Sequence, residues 1–137
     1  MGLVLDSTVL IAAEREAAPI SALLVQFEEK HSETEIIISS VSVVELEHGF
    51  YRADTPERAQ RRRDYLETIY AAIPIQPFTK EMGQLAAKVD AGARKTGSVI
   101  PFSDLLIGIT ALHLGYAVGT RNERHFKMIP DLKIISL

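Results

Sequence analysis

Three acids stand where strand-like runs hand over to helix-like ones, and carboxylates are the side chains that hold hard divalent cations. Asp6 closes the apolar run Gly2-Leu3-Val4-Leu5, Glu45 lies early in the helical stretch after Ile36-Ile37-Ile38, and Asp104 follows Val99-Ile100-Pro101-Phe102-Ser103. In an open parallel sheet, the loops at the carboxyl ends of the strands line one crevice, where such folds bind their ligands. Acids far apart in sequence meet there. Unit charges a few ångströms apart repel by about 4 kcal/mol at an effective dielectric of about 20. Three gathered carboxylates without basic partners therefore need a cation or extra hydrogen bonds. Magnesium or manganese suits them, because both take carboxylate oxygens together with water.

Each acid also has a local explanation. Asp6 precedes an apolar periodic run and fits an N-cap worth about 1 kcal/mol, although Ser7 and Thr8 offer the same capping oxygen. Ser42-Val43-Val44-Glu45 matches a capping box, in which the Glu reaches back to the first amide. If Ser39 or Ser40 is the cap instead, Glu45 lies deeper, among Val41, Val44 and His48, where a carboxylate needs a partner. Asp104 complements a helix dipole, an effect of roughly 0.3–1 kcal/mol. Yet the helix it opens is apolar nearly all round, which places that terminus near the domain centre. Taken singly, each residue leaves both readings open.

The elements that would position these acids alternate along the chain. Gly2–Leu5 and Glu35–Ser39 read as strands buried on both faces. A short helix follows at Val9–Ala13, and Pro19 starts a second with Ile20, Leu23, Leu24 and Phe27 on one face. Ser39, Ser40 and Ser42 compete to cap the helix carrying Glu45. Thr55-Pro56-Glu57 opens another, with Tyr65, Leu66, Ile69 and Tyr70 inward. Ile73-Pro74-Ile75 reads as a brief strand whose proline suits an edge. A helix runs from Thr79 to a C′ residue at Gly97, and Ser103–Leu114 forms the central one. Strands at Tyr116–Thr120 and Lys133–Ser136 complete an α/β layer sandwich with a mainly parallel sheet. With no linker or repeat, residues 1–137 read as a single domain.

Composition narrows the function. A hydrophobic fraction of 47% supports a real core, and a net charge of −3 gives no global nucleic-acid signature. An anionic substrate has to be drawn in locally or through a metal. The absence of cysteine excludes disulfides, zinc–thiolate sites and thiol nucleophiles. No signal peptide is visible before Asp6, and the apolar run Leu105–Gly119 is too short for a membrane span. The expectation is a cytoplasmic protein without membrane contact.

Four motifs in order, Leu5-Asp6-Ser7-Thr8-Val9-Leu10-Ile11, Val44-Glu45-Leu46-Glu47-His48-Gly49, Pro101-Phe102-Ser103-Asp104-Leu105-Leu106-Ile107, and Thr120-Arg121-Asn122 with His125-Phe126, resemble those of PIN-domain proteins. More narrowly, the whole chain is similar to the VapC-type toxin ribonucleases of toxin–antitoxin systems. The resemblance implies a PIN-like three-layer α/β/α sandwich and a magnesium- or manganese-dependent endoribonuclease. It implies a homodimer, neutralised by a small DNA-binding antitoxin, with Asp6, Glu45 and Asp104 as the metal-binding acids. Many relatives carry a fourth acid in or just beyond the last motif, where this chain has Asn122 and His125, with Glu123 as an alternative substitute.

On that reading Asp6 and Asp104 bind the ion directly, and Glu45 binds it through water or orients the attacking water. Asn122 bonds a metal water or a phosphate, and Ser7, Ser103, Thr120 and Arg121 position the RNA. Ser7, Ser103 and Thr120 fit local caps equally well, and Arg121 fits a pair with a site carboxylate. Arg58, Arg61, Arg62 and Arg63 read as a solvated helix face or an RNA-steering surface. His48, His113 and His125 form no zinc pattern and read as surface or packed imidazoles. Phe50, Tyr51, Tyr65 and Tyr70 suit core or dimer packing more than base stacking. A phosphohydrolase with an aspartyl nucleophile lacks the second Asp two positions after Asp6. An inactive PIN-like module that binds an antitoxin-like partner is the non-enzymatic alternative.

Overall fold

The computed structural model describes residues 2–16, 20–30 and 32–137. The sheet is built on β1 (Gly2–Leu5), whose four residues are all buried, as a both-faces-apolar run requires. Leu3 and Leu5 point into one core and Val4 into the other, the two-residue alternation of a strand. β2 (Glu35–Ser39) and β4 (Ala117–Thr120) flank β1, with β3 (Ile75–Gln76) and β5 (Lys133–Ser136) at the edges. The order is β3-β2-β1-β4-β5 and every pairing is parallel. The chain first builds outward from β1 through β2 and β3, then returns to β1's other side. The reversal leaves a crevice at the carboxyl ends of β1 and β4.

Helices cover both faces. α1 (Ser7–Arg15), α2 (Ile20–Lys30), α3 (Ser40–Tyr51) and α4 (Pro56–Ala72) close the core around Leu10, Phe27, Leu46, Leu66 and Ile69. α5 (Lys80–Lys95), α6 (Phe102–Leu114) and α7 (Glu123–Phe126) close the other, around Met82, Ala86, Ile107, Ile109 and Phe126. The molecule is thus a three-layer α/β/α sandwich. Among the described residues no helix is long and apolar enough to cross a membrane.

Local signals set most boundaries. Thr55 and Thr79 cap α4 and α5 by accepting from the amides of Arg58 and Met82. Gly97 follows α5 at φ +82°, and the bonds Ser98 N to Ala93 O and Gly97 N to Arg94 O complete a Schellman ending. Pro19, expected to open α2, lies outside the described residues.

Two expectations are corrected. Residues 98–101 form no strand before Asp104; both flanks of β1 are already taken by β2 and β4, so Ile100 reaches the core from a loop. The strand expected at Ile73–Ile75 starts at Ile75, because the Ile73 N–H still bonds the Ile69 carbonyl and closes α4. Its edge position stands. The single-turn α7, which carries His125, was not anticipated.

Candidate metal centre

Asp6 follows β1 at the crevice, and its backbone N–H bonds the Gly119 carbonyl of β4 at 2.9 Å. It occupies the N-cap position of α1, yet its carboxylate makes no capping hydrogen bond. Oδ2 instead accepts from Thr8 Oγ1 at 2.7 Å and Thr120 Oγ1 at 2.9 Å. Thr120 ends β4 and also accepts the Asn122 N–H, while Thr8 accepts that of Arg121. Each hydroxyl has one proton, and with these amides as donors to them both protons turn towards Asp6. Asp6 is only 1% exposed.

Ser39 is the cap of α3, accepting from the Val41 amide at 3.1 Å. The capping box at Ser42 does not form, and Glu45 takes the deeper position. Ser42 Oγ is buried without a partner among the described residues. From there Glu45 accepts from Ser7 Oγ at 3.1 Å and, more weakly, from Ser103 Oγ at 3.4 Å. Asp104 enters from the first turn of α6, 18% exposed. Its Oδ2 lies 2.6 Å from His125 Nδ1.

Asp6 and Glu45 feel burial and the acids around them. Burial pushes the Asp6 carboxyl above its ordinary value, the Thr8 and Thr120 hydroxyls oppose that, and the charge of Asp104 adds to it. Glu45 is likewise raised, first by burial, with Ser7 opposing and the charges of Asp6 and Asp104 adding. Among the described residues no Lys or Arg makes an ion pair with any of the three. Ser7 lies 3.1 Å from Glu45 and 3.5 Å from Asp6 Oδ1, so one proton faces two acceptors. The cluster is short of positive charge and of donors.

A divalent cation fits that deficit. Among the described residues no three His, Asp or Glu side chains form a ready-made cage. An ion of the magnesium type does not need one, since it binds through one or two carboxylates and keeps several waters. For such an ion the relevant observation, rather than a closed cage, is that Ser7 lies between Asp6 and Glu45 and that Ser103, next to Asp104, reaches Glu45.

Other expected residues lie apart. Asn122 is exposed, and its hydrogen bond is through its backbone N–H to Thr120. Glu123 pairs with Lys127 at 3.2 Å. Arg121 pairs with Glu16 at 2.7 Å rather than with a site acid. It lines, with Thr8, Ile11, Ala12, Arg15 and Glu16, a cavity of about 500 Å³. Of the arginine cluster, Arg58 pairs with Asp54 on the surface and Arg61 is exposed, as a solvated face requires, whereas Arg62 and Arg63, only 22% and 26% exposed, tie α4 to Glu14 of α1 and Glu47 of α3. Tyr65 and Tyr70 pack against the core as expected, whereas Tyr51 is 79% exposed.

Two residues were undervalued in the sequence. Thr8 stood only as a capping candidate, although it lies two positions from Asp6 at the strand end. His125 read as surface or packed, and the short α7 that turns it towards Asp104 left no periodic signal.

The family model described as PIN domain matches residues 3–132. A protein of Rickettsia bellii (strain RML369-C) named Ribonuclease VapC is 26% identical over 137 residues, covering 100% of this chain and 97% of its own. Ribonuclease VapC1 of Rickettsia felis (strain ATCC VR-1525 / URRWXCal2) is also 26% identical, with the same coverage. Among solved structures, VapBC2 from Rickettsia felis, bound to a DNA fragment from its promoter, superposes with a TM-score of 0.86 at 20% identity, covering 100% of this chain and 99% of that one. DNA-bound VapBC from Salmonella typhimurium gives 0.84 at 20% identity, covering 99% and 98%. These superpositions carry the fold.

Proposed function

As this chain belongs to the PIN domain family, we propose that it is a divalent-metal-dependent endoribonuclease, the toxin of a type II toxin–antitoxin pair. One observation carries the reading: Ser7 links Asp6 to Glu45 and Ser103, beside Asp104, links to Glu45, so the three acids gather at one crevice with no Lys or Arg ion-paired to them among the described residues. The relatives are ribonucleases, which supplies the substrate class, RNA, and the superposed structures are VapBC complexes, which supplies the partner class. A small DNA-binding antitoxin and a homodimeric toxin complete the proposal.

Asp6 and Asp104 would hold the ion, magnesium or manganese, which when bound would supply neutralisation of phosphate charge and activation of water. Thr8 and Thr120 fix Asp6 through Oδ2, so that Oδ1 faces Ser7, which also donates to Glu45. Glu45, held by Ser7 and Ser103, orients the attacking water in line with the leaving oxygen. Arg15 and Arg121, in the cavity beside Thr8, receive neighbouring phosphates once RNA displaces Glu16 from Arg121. Asn122 bonds a phosphate from its exposed position. The Phe102 ring, 74% exposed next to Ser103, offers an unpaired base a stacking face, which favours single-stranded RNA.

The test is cleavage of structured and single-stranded RNAs in MnCl2 by the wild type and Asp6→Asn, each checked for folding by circular dichroism. Loss of cleavage in the folded variant is expected. Cleavage at the wild-type rate rejects the assignment. A wild type that binds a VapB-like antitoxin but neither manganese nor RNA returns the reading to an inactive interaction module.

A further inference from the structure

His125 and Asp104 meet through packing that leaves neither much choice. The two helices that carry them approach closely because Gly108 of α6 has no side chain. A Cβ there would lie 2.4 Å from Ile129 Cδ1 and 3.2 Å from Phe126 Cδ1. Phe126, next to His125, is fully buried, and Leu105, next to Asp104, is buried too. Both backbones are pinned by core neighbours, and the side chains are only 27% and 18% exposed. Surface ion pairs between long mobile chains have no such constraint.

The 2.6 Å separation distinguishes two roles for the imidazole. Two ligands at right angles on a magnesium-sized ion, each about 2.1 Å from it, lie roughly 3.0 Å apart. The observed contact is shorter and matches a charge-assisted hydrogen bond. A ring nitrogen that donates a proton to Oδ2 has no lone pair left for a cation. Oδ1 of Asp104, by contrast, accepts no side-chain hydrogen bond among the described residues.

We propose that His125 is the positioning residue of the centre: its Nδ1–H holds Oδ2 of Asp104 and so presents Oδ1 to the cation, as an outer-shell donor does for a ligating carboxylate. The inference rests on the metal reading above and adds a residue to it.

Leucine and asparagine have the same branching, and only asparagine keeps a donor near the place of Nδ1. Manganese titrations of the whole protein by calorimetry should show His125→Leu losing about 10–100-fold in affinity, the usual effect of removing an outer-shell partner. His125→Asn should retain most of it. Alanine gives the same reading where leucine disturbs folding. Manganese electron paramagnetic resonance of the wild type should show no directly coordinated nitrogen. Wild-type affinity in both His125→Leu and His125→Ala overturns the proposal alone, as does an affinity in His125→Asn as low as in leucine, or a nitrogen bonded to manganese. A wild type that binds no manganese overturns the metal reading and this inference with it.

Discussion

The Thr120 hydroxyl donates to Oδ2 of Asp6 at 2.9 Å, joining the ends of β4 and β1 across 114 positions of sequence. The same oxygen accepts the Asn122 N–H, so the bond couples the acid to the turn that leads into α7. Thr120 is fully buried, and water cannot replace either partner.

Thr120→Val keeps the shape and removes both interactions. It should destabilise the protein by about 1–3 kcal/mol, the cost of leaving buried polar groups unsatisfied. Thr120→Ser should stay near wild type. Urea unfolding midpoints of the three proteins measure this, and a valine variant as stable as the serine one shows that the hydroxyl does nothing for the fold.

Asp6 and Glu45 both have carboxyls raised above their ordinary values, chiefly by burial. The folded state then holds those protons more tightly than the unfolded chain. Their contribution to stability is fully present below the unfolded values and is lost as pH rises through the raised folded ones. In EDTA, the wild type should therefore lose stability relative to Asp6→Asn as pH rises above about 4. Thermal melts of both proteins across that range check the sign; a parallel pair of curves contradicts it.

A cation that binds only the folded protein reverses that loss. Manganese at about 100 times its dissociation constant should add roughly 2.7 kcal/mol of stability. Asp6→Asn and Asp104→Asn should show little or none of this gain. Chelation should return the wild type to its metal-free melting temperature, and a gain that survives in both variants places the ion elsewhere.

Two helical glycines should respond oppositely to alanine. A Cβ at Gly49 would fall 1.8 Å from the Arg62 guanidinium, whereas nothing lies within 4 Å of one at Gly92. Gly92→Ala, exposed in the last turn of α5, should stabilise by about 0.5–1 kcal/mol. Gly49→Ala drives Arg62 from its 2.6 Å contact with Glu14 and should destabilise by about 1–2 kcal/mol. Denaturant midpoints that move together remove this distinction.

Much of the fold was legible because it follows local rules. The apolar run at Gly2–Leu5, the Thr-capped starts of α4 and α5, and the glycine endings of α5 and α6 each carry their signal within a few residues. Strand character at Val99–Ser103 was misread because periodicity cannot register that β2 and β4 already fill both sides of β1. The choice among Ser39, Ser40 and Ser42 as the α3 cap was undecided for a similar reason. Backbone geometry at the end of β2, not residue type, selects Ser39.

For the site, the sequence by itself determined which acids stand at element boundaries and that their types suit a hard cation. It did not determine their partners. Thr8 and Thr120 on Asp6, Ser7 between Asp6 and Glu45, and His125 on Asp104 are fixed by strand order and helix packing. Three of those contacts span 21 to 114 positions of sequence. Hydrogen bonds act over about 3 Å, a scale on which residues distant in the chain become neighbours only after the layers have closed.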